Sequence, residues 1–269
     1  MDDRAAQLAR AWTDAAGGYE EYFVPRFAPW VELAVNALGL DLPDGPILVP
    51  CCGTFPELPL LGAAYPGRAI VGIDLSPGMV ARAAARAESW PQAQAVVGDA
   101  CAVGPEWIGR CAGVLSVFGL QQLPDPAAAL TSWVGLLCPG GRLSVAYWPE
   151  TVEEDGPFAL ADRVRERGAG DDGAGRRLAD AIATAGADMT ADRAVSFPME
   201  HPDAATFWEA MSNNGPLRAV AIARGEEALA ELGRRFLALA PSDRPWRHTP
   251  RAHLLAAVIP AKPSRPPTS

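Results

Sequence analysis

Residues 46–79, PILVPCCGTFPELPLLGAAYPGRAIVGIDLSPGM, decide the fold. Ile47, Leu48 and Val49 form a short apolar run, the pattern of a strand buried on both faces. A tight turn over 50–54 and a helix over about 55–64 follow, and a second buried strand, 69–73, ends in an acid, Asp74. In a doubly wound sheet, ligands sit beyond the carboxyl ends of the strands, where the strand order reverses. A turn that opens a helix there offers free N–H groups and the positive end of the helix dipole. An acid about twenty residues on, at the tip of the next strand, is placed to accept hydrogen bonds from ribose hydroxyls. The stretch reads as a nucleoside-binding half-site, with Asp74 its most informative residue.

The surrounding chain continues the strand–helix alternation of a parallel sheet with helices on both faces. Ser76-Pro77 starts a helix over 78–88, Asp125-Pro126 starts the next, and Gly140-Gly141 turns into a fifth strand. The dinucleotide fingerprint G-x-G-x-x-G is absent. The turn is Cys51-Cys52-Gly53-Thr54-Phe55, with one glycine, so close backbone approach to a diphosphate is not expected. A ligand without phosphate, carrying an amino-acid moiety, suits such a turn better.

Three further stretches follow in order: VVGDA (96–100), GVLSVFGLQQLPDPAAAL (113–130) and LLCPGGRLSVAYW (136–148). Together with the opening stretch, and over roughly residues 40–150, they resemble the class I S-adenosylmethionine-dependent methyltransferases of small-molecule type. The resemblance implies an α/β fold: a Rossmann-like, doubly wound, seven-stranded sheet, mostly parallel, with a C-terminal antiparallel hairpin and a helical cap. It implies S-adenosyl-L-methionine as cofactor, held at the first turn by Cys51, Cys52, Gly53 and Thr54, and after the second strand by Asp74, Leu75 and Met79. It adds Asp99 and Ala100 after the third strand, Val117, Phe118 and Gln122 after the fourth, and Tyr19 from the N-terminal segment. Three places depart from the family pattern. Val49 stands where an acid is usual, Cys51 and Phe55 stand where glycines are usual, and Gln121-Gln122 replaces a His-His pair. A thiol replaces glycine there only if φ stays negative, and Phe55 narrows the methionine end of the pocket.

The net charge of −9 weighs against a nucleic-acid partner, since phosphate-backbone binders concentrate positive charge. The arginine pairs at 82 and 86, 176 and 177, and 234 and 235 have acids close by. Five cysteines (Cys51, Cys52, Cys101, Cys111, Cys138) in apolar contexts do not read as a disulfide framework. They read as small buried residues in a reducing cytoplasm. The first residues lack the apolar core of a signal peptide, and no apolar run reaches the ~20 residues a membrane helix needs. A soluble, cytoplasmic protein is expected, with no membrane partner; a homodimer is left open.

Four regions are expected: an N-terminal helical lid (1–40), a cofactor-binding core (41–150), the rest of the sheet with an inserted helical cap (151–260, the insert at about 200–248), and a disordered tail (261–269). The lid reads as two helices, 3–16 stopped by Gly17-Gly18 and 29–38 closed by Gly39. Helices over 158–167 and 176–185 flank a Gly/Asp-rich connection, 168–175. Strands over 194–199 and 252–259 enclose helices over 202–213 and 216–239.

Methyl transfer to a hydroxyl needs a base. Of the chain's three histidines, His201 and His248 are the candidates, while His253, inside a strand, reads as structural. Tyr22, Trp148, Phe197, Met211, Asn213 and Trp246 are the candidate acceptor contacts, giving an apolar pocket with a few polar groups. No ligand spacing suggests a metal. The chain therefore reads as an enzyme, a methyltransferase acting on a small hydrophobic or aromatic metabolite of secondary metabolism, on oxygen before nitrogen or carbon. The alternatives are an enzyme of the same fold that binds S-adenosylmethionine or S-adenosylhomocysteine for a cyclisation or rearrangement without methyl transfer, or a non-enzymatic cofactor-binding module. The altered first turn and the missing His-His pair keep the former open, while a deep aromatic cap weighs against the latter.

Overall fold

The computed structural model describes residues 3–166, 174–241 and 245–261. The expected disordered tail, and most of the expected Gly/Asp-rich connection, lie outside the described residues. Seven strands form one sheet: β1 (Ile47–Pro50), β2 (Ile70–Asp74), β3 (Ala93–Val97), β4 (Cys111–Val117), β5 (Leu137–Tyr147), β6 (Asp188–Ser196) and β9 (Arg251–Val258). Their order is β3-β2-β1-β4-β5-β9-β6. The first five run parallel, and β9 is antiparallel to both β5 and β6. This is the doubly wound sheet with a C-terminal antiparallel strand. The chain winds outward from β1 to β3 and then returns to β4 on the other side, which opens the crevice at the ends of β1 and β4.

The central strands are apolar because helices cover both faces; every residue of β1 and of β4 is buried. Around the sheet lie α2 (Leu58–Ala64), α3 (Pro77–Ala87), α4 (Pro126–Gly135), α5 (Pro157–Val164) and α6 (Ala174–Thr184). Ser76 and Asp125 cap α3 and α4 as their sequences predict, accepting from Met79 N (3.2 Å) and Ala128 N (2.9 Å). α2 starts later than expected because Phe55 adopts φ +62°, outside the helical region.

The largest departure is α1 (Asp3–Ala37), a single helix of 35 residues where two were expected. Gly17, Gly18, Pro25 and Pro29 all lie inside it. Packing explains this. Phe23, Phe27, Trp30, Val31, Ala34 and Leu38 form one buried helical stripe. A proline costs about 3 kcal/mol in a helix interior. Each large apolar side chain buried gains roughly 1.5–3 kcal/mol, so the stripe outweighs the breakers. Gly17 also has a packing role, since a Cβ there would lie 3.0 Å from Arg82 Nη2. Glu20, one turn later, pairs with Arg82 and Arg86 and ties α1 to α3.

The C-terminal region also differs. β6 begins at Asp188, earlier than expected. Two short strands, β7 (Met199–His201) and β8 (Trp246–His248), pair antiparallel at the base of the insertion, a feature the sequence reading lacked. Between them lie α7 (Ala204–Ser212), α8 (Gly215–Arg224) and α9 (Glu226–Leu239). Gly225, at φ +87°, divides α8 from α9 where one helix was expected. Among the described residues, no helix is long and apolar enough to cross a membrane.

Candidate active site

The turn after β1 is folded back against the turn after β2. Cys52 N donates to Ile73 O (3.0 Å) and Phe55 N to Cys52 O (2.8 Å). The Asp74 carboxylate joins the two turns, accepting from Gly53 N through Oδ2 and from Ser76 N through Oδ1, each at 2.9 Å. Burial raises its pKa, while the amides of Ser76, Gly53 and Leu75 pull it back down. This fold-back requires Gly72, where a Cβ would lie 2.8 Å from Cys52 Sγ and 2.9 Å from Phe55 Cε1.

The expectation of negative φ at Cys51 is wrong. Cys51, Gly53 and Phe55 all adopt positive φ (+57°, +52° and +62°), so the turn keeps the backbone of a glycine-rich loop with side chains in two of its glycine places. Such residues store local strain, of order 1–3 kcal/mol each. Cys51 is accommodated because Gly119, across the crevice after β4, has no side chain; a Cβ there would lie 2.2 Å from Cys51 Cβ. Both thiols of the turn have raised pKa values through burial and the Asp74 charge, so neither is activated as a nucleophile. All five cysteines are free.

These turns form the floor of one pocket. All the residues expected around the cofactor line it: Tyr19, Cys51, Cys52, Gly53, Thr54, Asp74, Leu75, Met79, Asp99, Ala100, Val117, Phe118 and Gln122. Asp99, just after β3, accepts from Cys101 N (2.8 Å). The sequence reading missed Leu8, Ala9 and Trp12, which reach the pocket because α1 is continuous, and Glu57 of the first turn.

None of the six expected acceptor contacts lines this pocket. Trp148 lies behind its wall, stacked on Phe118 at 4.1 Å with the rings 4° from parallel. Phe197 packs edge-on against Trp30, and Trp246 packs against Phe207 and Phe236. Met211 is buried on α7, and Asn213 closes the end of that helix by donating to Glu209 O (3.0 Å). Phe197 and Trp148 thus pack against α1 and the sheet, Met211 and Trp246 within the insertion, and Asn213 closes a helix.

The two candidate histidines do meet. Tyr22 Oη lies 2.8 Å from His201 Nδ1, His201 Nε2 lies 2.9 Å from His248 Nε2, and His248 Nδ1 lies 2.7 Å from Glu153 Oε2. Glu153 Oε1 in turn accepts from the amides of Phe158 (2.7 Å) and Ala159 (3.3 Å) at the start of α5. His201 is fully buried, and the side chains of His248 and Glu153 are only 4% and 6% exposed. Burial, His248 and Arg26 push the pKa of His201 down to about 3, so its ring is neutral. With the His201 ring neutral, one polarity satisfies all three contacts. His248 donates to Glu153, His201 to His248, and Tyr22 to His201. Glu153 escaped the sequence reading because it sits in an acidic loop that looks solvated; its nearness to a helix start was the available signal. His253, expected to be structural, pairs with Asp192 on the neighbouring strand.

Residues 49–145 match the family described as a methyltransferase domain. A 2-phytyl-1,4-naphthoquinone methyltransferase of Thermosynechococcus vestitus is 36% identical over 118 residues, 43% of this chain and 48% of the relative. A trans-aconitate 2-methyltransferase of Methylobacterium nodulans is 36% identical over 154 residues, 57% of this chain and 52% of the relative. The chain thus spans about half the length of the curated relatives it matches. A solved structure of Haemonchus contortus phosphoethanolamine N-methyltransferase 2, in complex with S-adenosylhomocysteine, aligns over 97% of this chain and 61% of its own, with a TM-score of 0.60 and 15% identity. That likeness speaks for the fold, and the family's cofactor is S-adenosylmethionine. Over residues 49–145 the chain is thus similar to a methyltransferase domain, and its sheet has the fold of solved methyltransferases.

Proposed function

We propose that the chain binds S-adenosylmethionine in the pocket between α1 and the ends of β1 to β4 and transfers its methyl group to a small, largely apolar acceptor, with oxygen favoured. The observation that carries this reading is Asp74: a carboxylate at the strand-order reversal, fixed by two amides, with lone pairs left for ribose hydroxyls. The other residues fit the same ligand. Met79, Ala100 and Val117 offer apolar contact to an adenine, and Asp99 an acceptor for its amino group. The buried Thr54 hydroxyl has no partner within the protein.

When bound, the cofactor supplies an electrophilic methyl group on a sulfonium. The chain then has to hold the acceptor in line, exclude water and, for a hydroxyl, accept its proton. α1 would act as a lid, and α7 to α9 as the wall on the acceptor side, with Tyr22 on the side toward the acceptor. Tyr22, one turn along α1 from pocket-lining Tyr19, would take the acceptor's proton as it passes its own to His201. His201 Nε2 passes a proton to His248, and His248 Nδ1 passes one to Glu153. Each ring gains one proton and loses one, so His201, with its pKa near 3, never needs to carry charge.

The relatives' names point the same way: a naphthoquinone and trans-aconitate are both small molecules. Calorimetric titration with S-adenosylmethionine and S-adenosylhomocysteine tests the first half of the reading. A panel of small phenols and carboxylic acids, scored by the mass of one added methyl, tests the second. Failure of both cofactor forms to bind would overturn it.

A further inference from the structure

One ionisable side chain on the pocket wall has no part in the scheme above: Glu57. It directly precedes α2 but does not cap it, is 2% exposed, and its Oε2 has no hydrogen-bond partner. An isolated buried carboxylate is costly as an ion. Burial accordingly pushes its pKa from 4.5 to about 8. Its own backbone amide and Arg86 of α3 pull it back, and its charge in turn bears on Tyr19 of α1 and Cys52 of the turn. Arg86 offsets the burial only in part, because its guanidinium is committed to Glu20 (2.6 Å) and to Thr54 O (2.9 Å). A buried carboxyl group on a ligand wall with one oxygen left without a partner fits a ligand that brings the cation.

We propose that Glu57 receives the α-ammonium group of the cofactor's methionine moiety. The inference rests on the S-adenosylmethionine reading. Glu57 belongs to the turn after β1, whereas Asp74 ends β2 and Asp99 follows β3, so it marks the pocket wall away from the adenine. The cofactor has a second cation, the sulfonium, but a carboxylate set against it would compete with the acceptor for the methyl carbon. Set against the ammonium, it does not. Binding turns the neutral acid and the ammonium into an ion pair, and the acid's proton leaves to the buffer.

Calorimetry in buffers of different ionisation enthalpy counts that proton. At pH 7 the wild type should release about one proton on binding S-adenosylmethionine and also on binding S-adenosylhomocysteine. It should release none on binding 5′-methylthioadenosine, which lacks the ammonium. Glu57→Gln should weaken both full-length ligands at least about tenfold, abolish the proton release and leave 5′-methylthioadenosine unaffected. Equal affinities in variant and wild type would overturn the inference, as would weakening confined to S-adenosylmethionine, which would place the carboxylate at the sulfonium. If the variant fails to fold, the wild-type proton counts decide alone. Absence of wild-type binding to either full-length ligand would instead remove the cofactor reading, and the inference with it.

Discussion

Replacing Asp74 by alanine removes two things at once, and their sizes differ. In the ligand-free protein, Gly53 N and Ser76 N lose a charged acceptor at 2.9 Å. A hydrogen bond to a charged group is worth about 1.5–3 kcal/mol, but a donor facing a pocket can turn to water. We expect a stability loss of about 1–2 kcal/mol, since both amides border the pocket. For binding, up to two ribose hydroxyls lose an ionised partner, and water in the vacated space recovers part of that. A net loss of at least about 1.4 kcal/mol, or tenfold in affinity, follows. Asp74→Asn separates charge from shape: its amide offers one acceptor where the carboxylate offers two, so only one turn stays tied. The assay is calorimetric titration with S-adenosylhomocysteine, alongside thermal melting to confirm that the variant is folded. Unchanged affinity in a folded Asp74→Ala protein would refute the placement of the ribose.

Other outcomes follow from the same geometry. His201→Ala and Glu153→Gln should each lower turnover on a hydroxyl acceptor by roughly a hundredfold while leaving cofactor affinity within about twofold; undiminished turnover would make the Tyr22–His201–His248–Glu153 chain a purely structural tie. Glu57 has its folded pKa raised from 4.5 to about 8, so the stability it contributes is present below pH 4.5 and lost as pH rises toward 8. Ligand-free Glu57→Gln should therefore melt above the wild type at pH 8 and lack that part of the pH dependence; parallel melting curves at pH 5 and 8 would contradict the burial argument. Gly72→Ala should cost about 1–3 kcal/mol in denaturant unfolding by overpacking Cys52 and Phe55; a change below about 0.5 kcal/mol would show that the turn can shift at little cost.

Much of this was legible in the sequence, for local reasons. The apolar runs of β1 and β2, the acid at Asp74 and the caps Ser76 and Asp125 depend on neighbours a few residues away, and they came out as read. The pocket floor followed from them. α1 was misread because Gly17, Gly18, Pro25 and Pro29 are stop signals only when no partner surface offsets their cost, and the surface that does is the sheet itself. The β7–β8 pair escaped because three-residue strands carry too little alternation to be seen. That the expected acceptor contacts lie outside this pocket has a related reason. An aromatic residue suits a ligand wall and a core equally well; Phe197 packs on Trp30, and Trp246 on Phe207 and Phe236. Glu57 was invisible because a buried acid before a helix looks in sequence like an ordinary exposed one, and the pocket it lines is built from segments far away in the chain.

The contact between Cys51 and Gly119 has a consequence for how this chain can change over generations. With their Cβ positions only 2.2 Å apart, the two sites exclude each other: one may carry a side chain while the other is glycine. Exchanging the roles by single substitutions must therefore pass through a protein with glycine at both. That intermediate is accessible, since glycine at 51 would relieve the strain of its positive φ. From it, the lineage can move either way. The thiol in this turn thus records which branch was taken and bars a side chain at residue 119 for as long as it remains.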